Sequence, residues 1–148
     1  MNSILILNGP NLNLLGQRQP EIYGSNTIDD VEKICMAKAL ELNLKISMAQ
    51  SNVEGEIVNL IQGAINKHQG IILNAGAYTH TSISIMDAIE AVNIPTVEVH
   101  ISNIYQRENF RHKSFIGKVA LGQICGFGID SYSLAIQALA TILMQNYD

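Results

Sequence analysis

Four aliphatic residues in a row, Ile4-Leu5-Ile6-Leu7, run straight into Asn8-Gly9-Pro10, and this stretch limits what the chain can become. Uninterrupted aliphatic side chains mark a strand buried on both faces, as at the centre of a parallel sheet. Gly9-Pro10 ends the strand. An amide-rich segment follows, through Asn11, Asn13 and Gln17 to Arg18, Pro20, Tyr23 and Gly24. A buried strand that delivers polar groups to a loop at its carboxyl end is the layout of a ligand site in open α/β proteins.

The pattern then repeats. Thr27-Ile28-Asp29-Asp30 reads as a helix start with a hydroxyl cap and an acidic first turn. Ile28, Val31, Cys35, Ala39 and Leu42 give that helix one apolar face. Residues 44–50 alternate as a half-exposed strand, and Ser51 to Gly55 connect it onward. Ile57, Leu60, Ile61, Ala64 and Ile65 predict a second amphipathic helix stopping near His68 and Gly70. Ile71 to Asn74 form a third strand, with a loop to His80; Thr81 or Ser82 then caps a helix carrying Ile85, Met86, Ile89 and Val92. Thr96 to His100 make a fourth strand, and a long polar loop runs from Ile101 to Phe115. Residues 119–124 suggest a fifth strand, 126–128 a turn, and Asp130 or Ser131 the cap of a last helix.

Strand and helix alternate with no linker, internal repeat or low-complexity segment. The expectation is one catalytic domain over residues 1–148: α/β, a flavodoxin-like doubly wound five-stranded parallel sheet with helices on both faces.

Charged residues make up 15% of the chain, against about 25% in typical soluble domains, which points to surface covered by other copies of the chain. A net charge of −4 and a pI near 5.5 argue against nucleic acid or an anionic membrane as partner. The amino terminus lacks a basic segment, and its aliphatic run is too short for a signal peptide or a span, so a cytoplasmic location is expected. Cys35 and Cys125 have no metal or redox spacing and read as small buried apolar side chains in a reducing compartment.

The arginines carry the most information. There are three, Arg18, Arg107 and Arg111, all in loops after the first and fourth strands, whereas the six lysines are mostly scattered over helix faces and element ends. A planar fork of donors suits a carboxylate, so this partition suggests a small anionic ligand; surface ion pairs are the plain alternative. Glu98 and His100, two apart on a strand, point to the same face. A carboxylate so placed fixes the imidazole's tautomer and keeps it charged as an acid. Taken alone, Tyr23 reads rather as a packing residue of an ordinary surface loop.

With these segments in view the sequence resembles the type II 3-dehydroquinate dehydratases. The resemblance covers Leu7 to Gly16 with Arg18, Pro20, Tyr23 and Gly24, then Gln50 to Gly55, Asn74 to Ser82 with Asp87, Glu98 to Asn103, and Arg107 to His112. It implies dehydration of 3-dehydroquinate to 3-dehydroshikimate in the shikimate and quinate pathways, no metal or organic cofactor, and a dodecamer built from trimers. Position by position it implies Tyr23 as the base, Arg18 as its activator, His100 as general acid and Glu98 as the group orienting it. Asn11 matches the residue holding a water toward the enolate oxygen. Asn74, His80, Ile101, Ser102 and Arg111 match substrate-binding positions, and Asp87 matches a residue reaching a neighbouring subunit's site. Ser131 and Met86 depart from the commoner glycine and arginine.

The chemistry needs such residues. An ordinary tyrosine is almost entirely phenol at neutral pH, so its use as a base requires a cation beside it. The departing hydroxyl needs an acid within hydrogen-bond reach. Gly16, Pro20 and Gly24 bracket the tyrosine's loop as in a lid that closes over substrate. Two rivals remain: a flavodoxin-like binding module, and a lyase or isomerase of another small keto acid. The run 126–131 resembles a dinucleotide fingerprint but lacks its third glycine, and no later strand supplies a ribose-binding acid.

Overall fold

The computed structural model describes residues 1–145. Five parallel strands, β1 (Ser3–Asn8), β2 (Lys45–Gln50), β3 (Gly70–Asn74), β4 (Thr96–His100) and β5 (Gly122–Cys125), form one sheet in the order β2-β1-β3-β4-β5. This is the flavodoxin-like order, doubly wound from its first strand outward. Every neighbouring pair is parallel.

The pleat of β1 divides the core. Ile4 and Ile6 pack on one side with Val31 and Cys35 of α2 (Ile28–Glu41) and Tyr132, Ile136 and Leu139 of α5 (Asp130–Gln145). Leu5 and Leu7 pack on the other with Ile57 and Ile61 of α3 (Glu54–Gln62) and Ile85 and Ile89 of α4 (Ile83–Val92). All of these are buried, which is why β1 carries no polar residue between Ser3 at its start and Asn8 at its end. On β4, Val97 and Val99 face α5. Glu98 and His100 therefore share the opposite face of the strand.

Local chemistry sets the element ends. Thr27 and Asp30 exchange side-chain and backbone hydrogen bonds in a reciprocal cap at the start of α2. Of Thr81 and Ser82, Ser82 is the cap of α4, accepting from Ile85 N–H at 3.0 Å. Neither Asp130 nor Ser131 is an outside cap: α5 begins at Asp130, and the Ser131 hydroxyl reaches back to accept from Phe127 N–H at 3.1 Å. The serine at this unusual position thus ties down the turn before its helix.

Three elements differ from the periodicity. α3 stops at Gln62, and Gly63 opens a run of turns to His68 that closes through Asn66 in a left-handed conformation (φ 64°). β5 starts at Gly122, because Ile116–Lys118 coil into a 3-10 turn that buries Ile116. Pro20–Tyr23 form a short helix, α1, with proline in its first turn. Among the described residues no helix is long and apolar enough to cross a membrane.

Candidate active site

Asn8, Asn74 and His100 end three adjacent strands, so the sheet brings their side chains to one edge. The loops that follow close around them. Gly9 lets the loop after β1 lie against the loop after β3; a Cβ there would sit 2.5 Å from the Ala75 carbonyl oxygen. Asn11 takes a left-handed conformation (φ 69°), and its N–H donates to the Asn52 side chain at 3.0 Å. The Gln50 amide donates to the Gly9 carbonyl and to Asn52, so β2 braces the same turn.

The resulting cleft is lined by Asn11, Arg18, Tyr23, Asn74, His80, His100, Ile101, Ser102, Arg107 and Arg111. Nine of these match the site residues expected from the sequence; Arg107 is expected there only as one of three loop arginines suited to an anionic ligand. Its guanidinium donates to the Tyr23 hydroxyl at 2.8 Å and lies 5.2 Å from the ring centroid. Arg18 instead sits over the ring, 4.9 Å from the centroid. Two cations thus address one phenol, Arg107 at the oxygen and Arg18 at the π face. His112 holds this arrangement from behind, its Nε2 bonded at 3.0 Å to the Arg107 carbonyl.

In the same cleft, His100 Nε2 lies 2.5 Å from Glu98 Oε2. Glu98 is fully buried and does not line the cleft; it stands behind the imidazole. Burial pulls its carboxyl upward, but hydrogen bonds from His100, Ser114 and Gln123 outweigh that and leave it below the usual carboxylate range. An ionised Glu98 accepts the Nε2 hydrogen, and Nδ1 is the nitrogen left for chemistry.

His80 Nδ1 is 2.7 Å from the Lys113 carbonyl, which makes Nδ1–H the donor and leaves Nε2 as an acceptor. Burial, with the His100 and Arg111 charges, lowers its pKa from 6.5 despite the backbone hydrogen bond, so it is neutral at pH 7. Asn74 donates to the Tyr132 hydroxyl at 2.9 Å and accepts from Gly76 N–H at 3.2 Å, which fixes its amide and leaves one N–H over. Arg111 is bonded to Glu108 at 2.7 Å. Asp87 lies on the exposed face of α4, outside its own chain's cleft.

The comparisons with known proteins address the same residues. The family model described as dehydroquinase class II matches residues 2–140. The chain belongs to this family. It is 56% identical over 146 residues to the 3-dehydroquinate dehydratase of Trichodesmium erythraeum, covering 99% of this chain and 97% of that one. It is 57% identical over 143 residues to that of Ruegeria pomeroyi, covering 97% and 96%. The crystal structure of the type II dehydroquinase from Butyrivibrio crossotus superposes with a TM-score of 0.91 at 43% identity, covering 93% of this chain and 97% of that one. In this class II dehydroquinase, then, the matched region spans every cleft residue named above.

Proposed function

We propose that this chain is a hydro-lyase that dehydrates 3-dehydroquinate to 3-dehydroshikimate, with Tyr23 as base and His100 as acid. The observation that carries the reading is the Arg107–Tyr23 hydrogen bond in the same cleft as an imidazole backed by Glu98. A guanidinium at the phenol oxygen stabilises negative charge there, and Arg18 on the ring face adds to the field.

The tyrosine oxygen takes a proton from the carbon beside the ketone, and the electron pair moves onto the carbonyl oxygen as an enolate. A water held by Asn11 faces that oxygen. As the enolate collapses, the C–O bond at the β carbon breaks, and the departing hydroxyl takes a proton from His100 and leaves as water. The phenol proton then returns to the imidazole through solvent. One water is lost, and no net proton is gained by the protein. Asn74, neutral His80, Ile101, Ser102 and Arg111, which line the same cleft, hold the substrate. Asp87, exposed and outside the lining of its own chain's cleft, serves that of a neighbouring subunit in a homo-oligomer, a dodecamer of trimers. No metal or organic cofactor enters this scheme, and the domain acts as one unit.

A flavin- or nucleotide-carrying module of the same fold fits less well, because the backbone donors it would use are occupied. Gly126, Phe127 and Gly128 give their N–H groups to His100 O, Ser131 Oγ and Ile101 O. After β1, Gly9, Asn11 and Leu12 give theirs to Asn74 O, Asn52 Oδ1 and Gly9 O. A phosphate needs such groups free.

Mixing 3-dehydroquinate with the purified chain, with no additive, tests the reading. A rising conjugated-enone absorbance is expected, and a flat trace at micromolar protein over an hour contradicts it.

A further inference from the structure

The carboxylate behind His100 has more hydrogen-bond donors than are needed to aim one imidazole. Oε2 of the buried Glu98 accepts from Gln123 Nε2 at 2.7 Å as well as from His100, and Oε1 accepts from Ser114 Oγ at 2.7 Å. The β4–β5 register pairs Glu98 with Gln123, so the two side chains stand side by side on one face of the sheet. Each donor is itself locked in polarity. The Tyr105 hydroxyl donates to Gln123 Oε1 at 3.1 Å, which turns the amide NH2 toward Glu98. Gly117 N–H donates to Ser114 Oγ at 2.8 Å, which leaves the hydroxyl hydrogen for Glu98. Gly117 is close-packed here, since a Cβ would lie 3.2 Å from both Glu98 Oε1 and Ser114 Oγ.

We propose that Gln123 and Ser114, set by Tyr105 and Gly117, are positioning residues that keep the single proton of the Glu98–His100 pair on the imidazole. The inference rests on the reading of His100 as the acid. The pair has two one-proton forms: carboxylate with imidazolium, or carboxylic acid with neutral imidazole. In a buried site the uncharged form gains ground unless the carboxylate is hydrogen-bonded. A neutral imidazole that accepts from the Glu98 O–H keeps its hydrogen on Nδ1, and that N–H is a far weaker acid than an imidazolium. Two extra donors on Glu98 therefore decide whether His100 can give up a proton at all. Two neighbouring titratable groups stay uncharged at neutral pH: His80 is neutral, and burial with the Glu98 charge pushes the Cys125 thiol up to about 11; Arg18, Arg107, Arg111 and Tyr23 line the same cleft as His100.

The test uses the intact protein with Gln123→Leu and Ser114→Ala. Each is expected to lower kcat by about ten- to a hundredfold, part of the hundredfold or more that general acids contribute, with KM within about twofold of wild type. At neutral pH the infrared difference spectrum should gain a protonated-carboxyl band that vanishes when Glu98→Gln is added. Nitrogen-15 shifts of His100 should move from imidazolium to neutral imidazole, and Ser114→Thr should restore both readouts. Tyr105→Phe carries the same test should Gln123→Leu fail to fold. Wild-type kcat without the band overturns the proposal, and so does a loss of kcat with the proton still on His100. Wild-type turnover by His100→Asn would instead remove the acid assignment, while the infrared band, which needs no turnover, still decides where the proton sits.

Discussion

Arg107 and Arg18 approach Tyr23 from different sides, and the difference is measurable. Arg107→Gln removes the guanidinium hydrogen bond to the phenol oxygen and should lower kcat by about a hundredfold or more, with KM changed far less. Arg18→Gln leaves that bond in place and should cost less in a steady-state assay of both variants. His80 gives a pH signature. Its titration is displaced to the acid side of 6.5, so KM should rise only as pH falls below that value, and His80→Gln should abolish the rise. The Glu98–His100 pair was legible in the sequence because the two-residue period of a strand fixes which side chains share a face. The Arg107–Tyr23 contact was not. It joins residues 84 apart through a long side chain on a loop with no period, so Arg18 was the cation expected beside the phenol and Arg107 at its oxygen was not.

At the scale of elements, the site stands on a polar chain inside the apolar core. Asn74 Nδ2 donates to Tyr132 Oη, and Tyr132 O–H donates to Asn8 Oδ1 at 2.6 Å, linking α5 to the ends of β3 and β1. Tyr132→Phe keeps the shape but leaves two buried groups unpaired. It should cost about 1–3 kcal/mol in urea unfolding and weaken substrate binding through a loosened Asn74. At the start of α2, Thr27→Ala should cost about 1 kcal/mol, read by the same titration, with kcat unchanged. Order and type of the main elements followed from buried runs and amphipathic faces; their ends did not. Ala64 and Ile65 extend the apolar pattern of α3, yet Gly63 is a poor helix former and the chain turns there. Val119 has strand-forming character, yet Ile116 finds its place in the core through a 3-10 turn that delays β5.

For the whole molecule, the sparse charge has a counterpart in exposed apolar side chains, among them Met36, Leu40, Leu121, Phe127 and Met144. With Asp87 outside its own cleft, Asp87→Ala should raise KM, and sedimentation should show whether assembly changes with it. Stability should also depend on alkaline pH. Burial raises the Cys35 thiol from 9.0 to about 12 and pushes the Tyr132 phenol upward as well. An unfolded chain releases these protons first, so their contribution is complete below pH 9 and is lost as pH climbs from 9 toward 12. Cys35→Ala should flatten that decline in denaturant titrations. The account as a whole depends on the oxygen of Tyr23, and Tyr23→Phe removes that atom alone. The decisive measurement is the rate of enone formation from saturating 3-dehydroquinate by this variant, with circular dichroism matched to wild type. A fall of about a hundredfold or more is predicted; a rate within a few-fold of wild type would contradict the account.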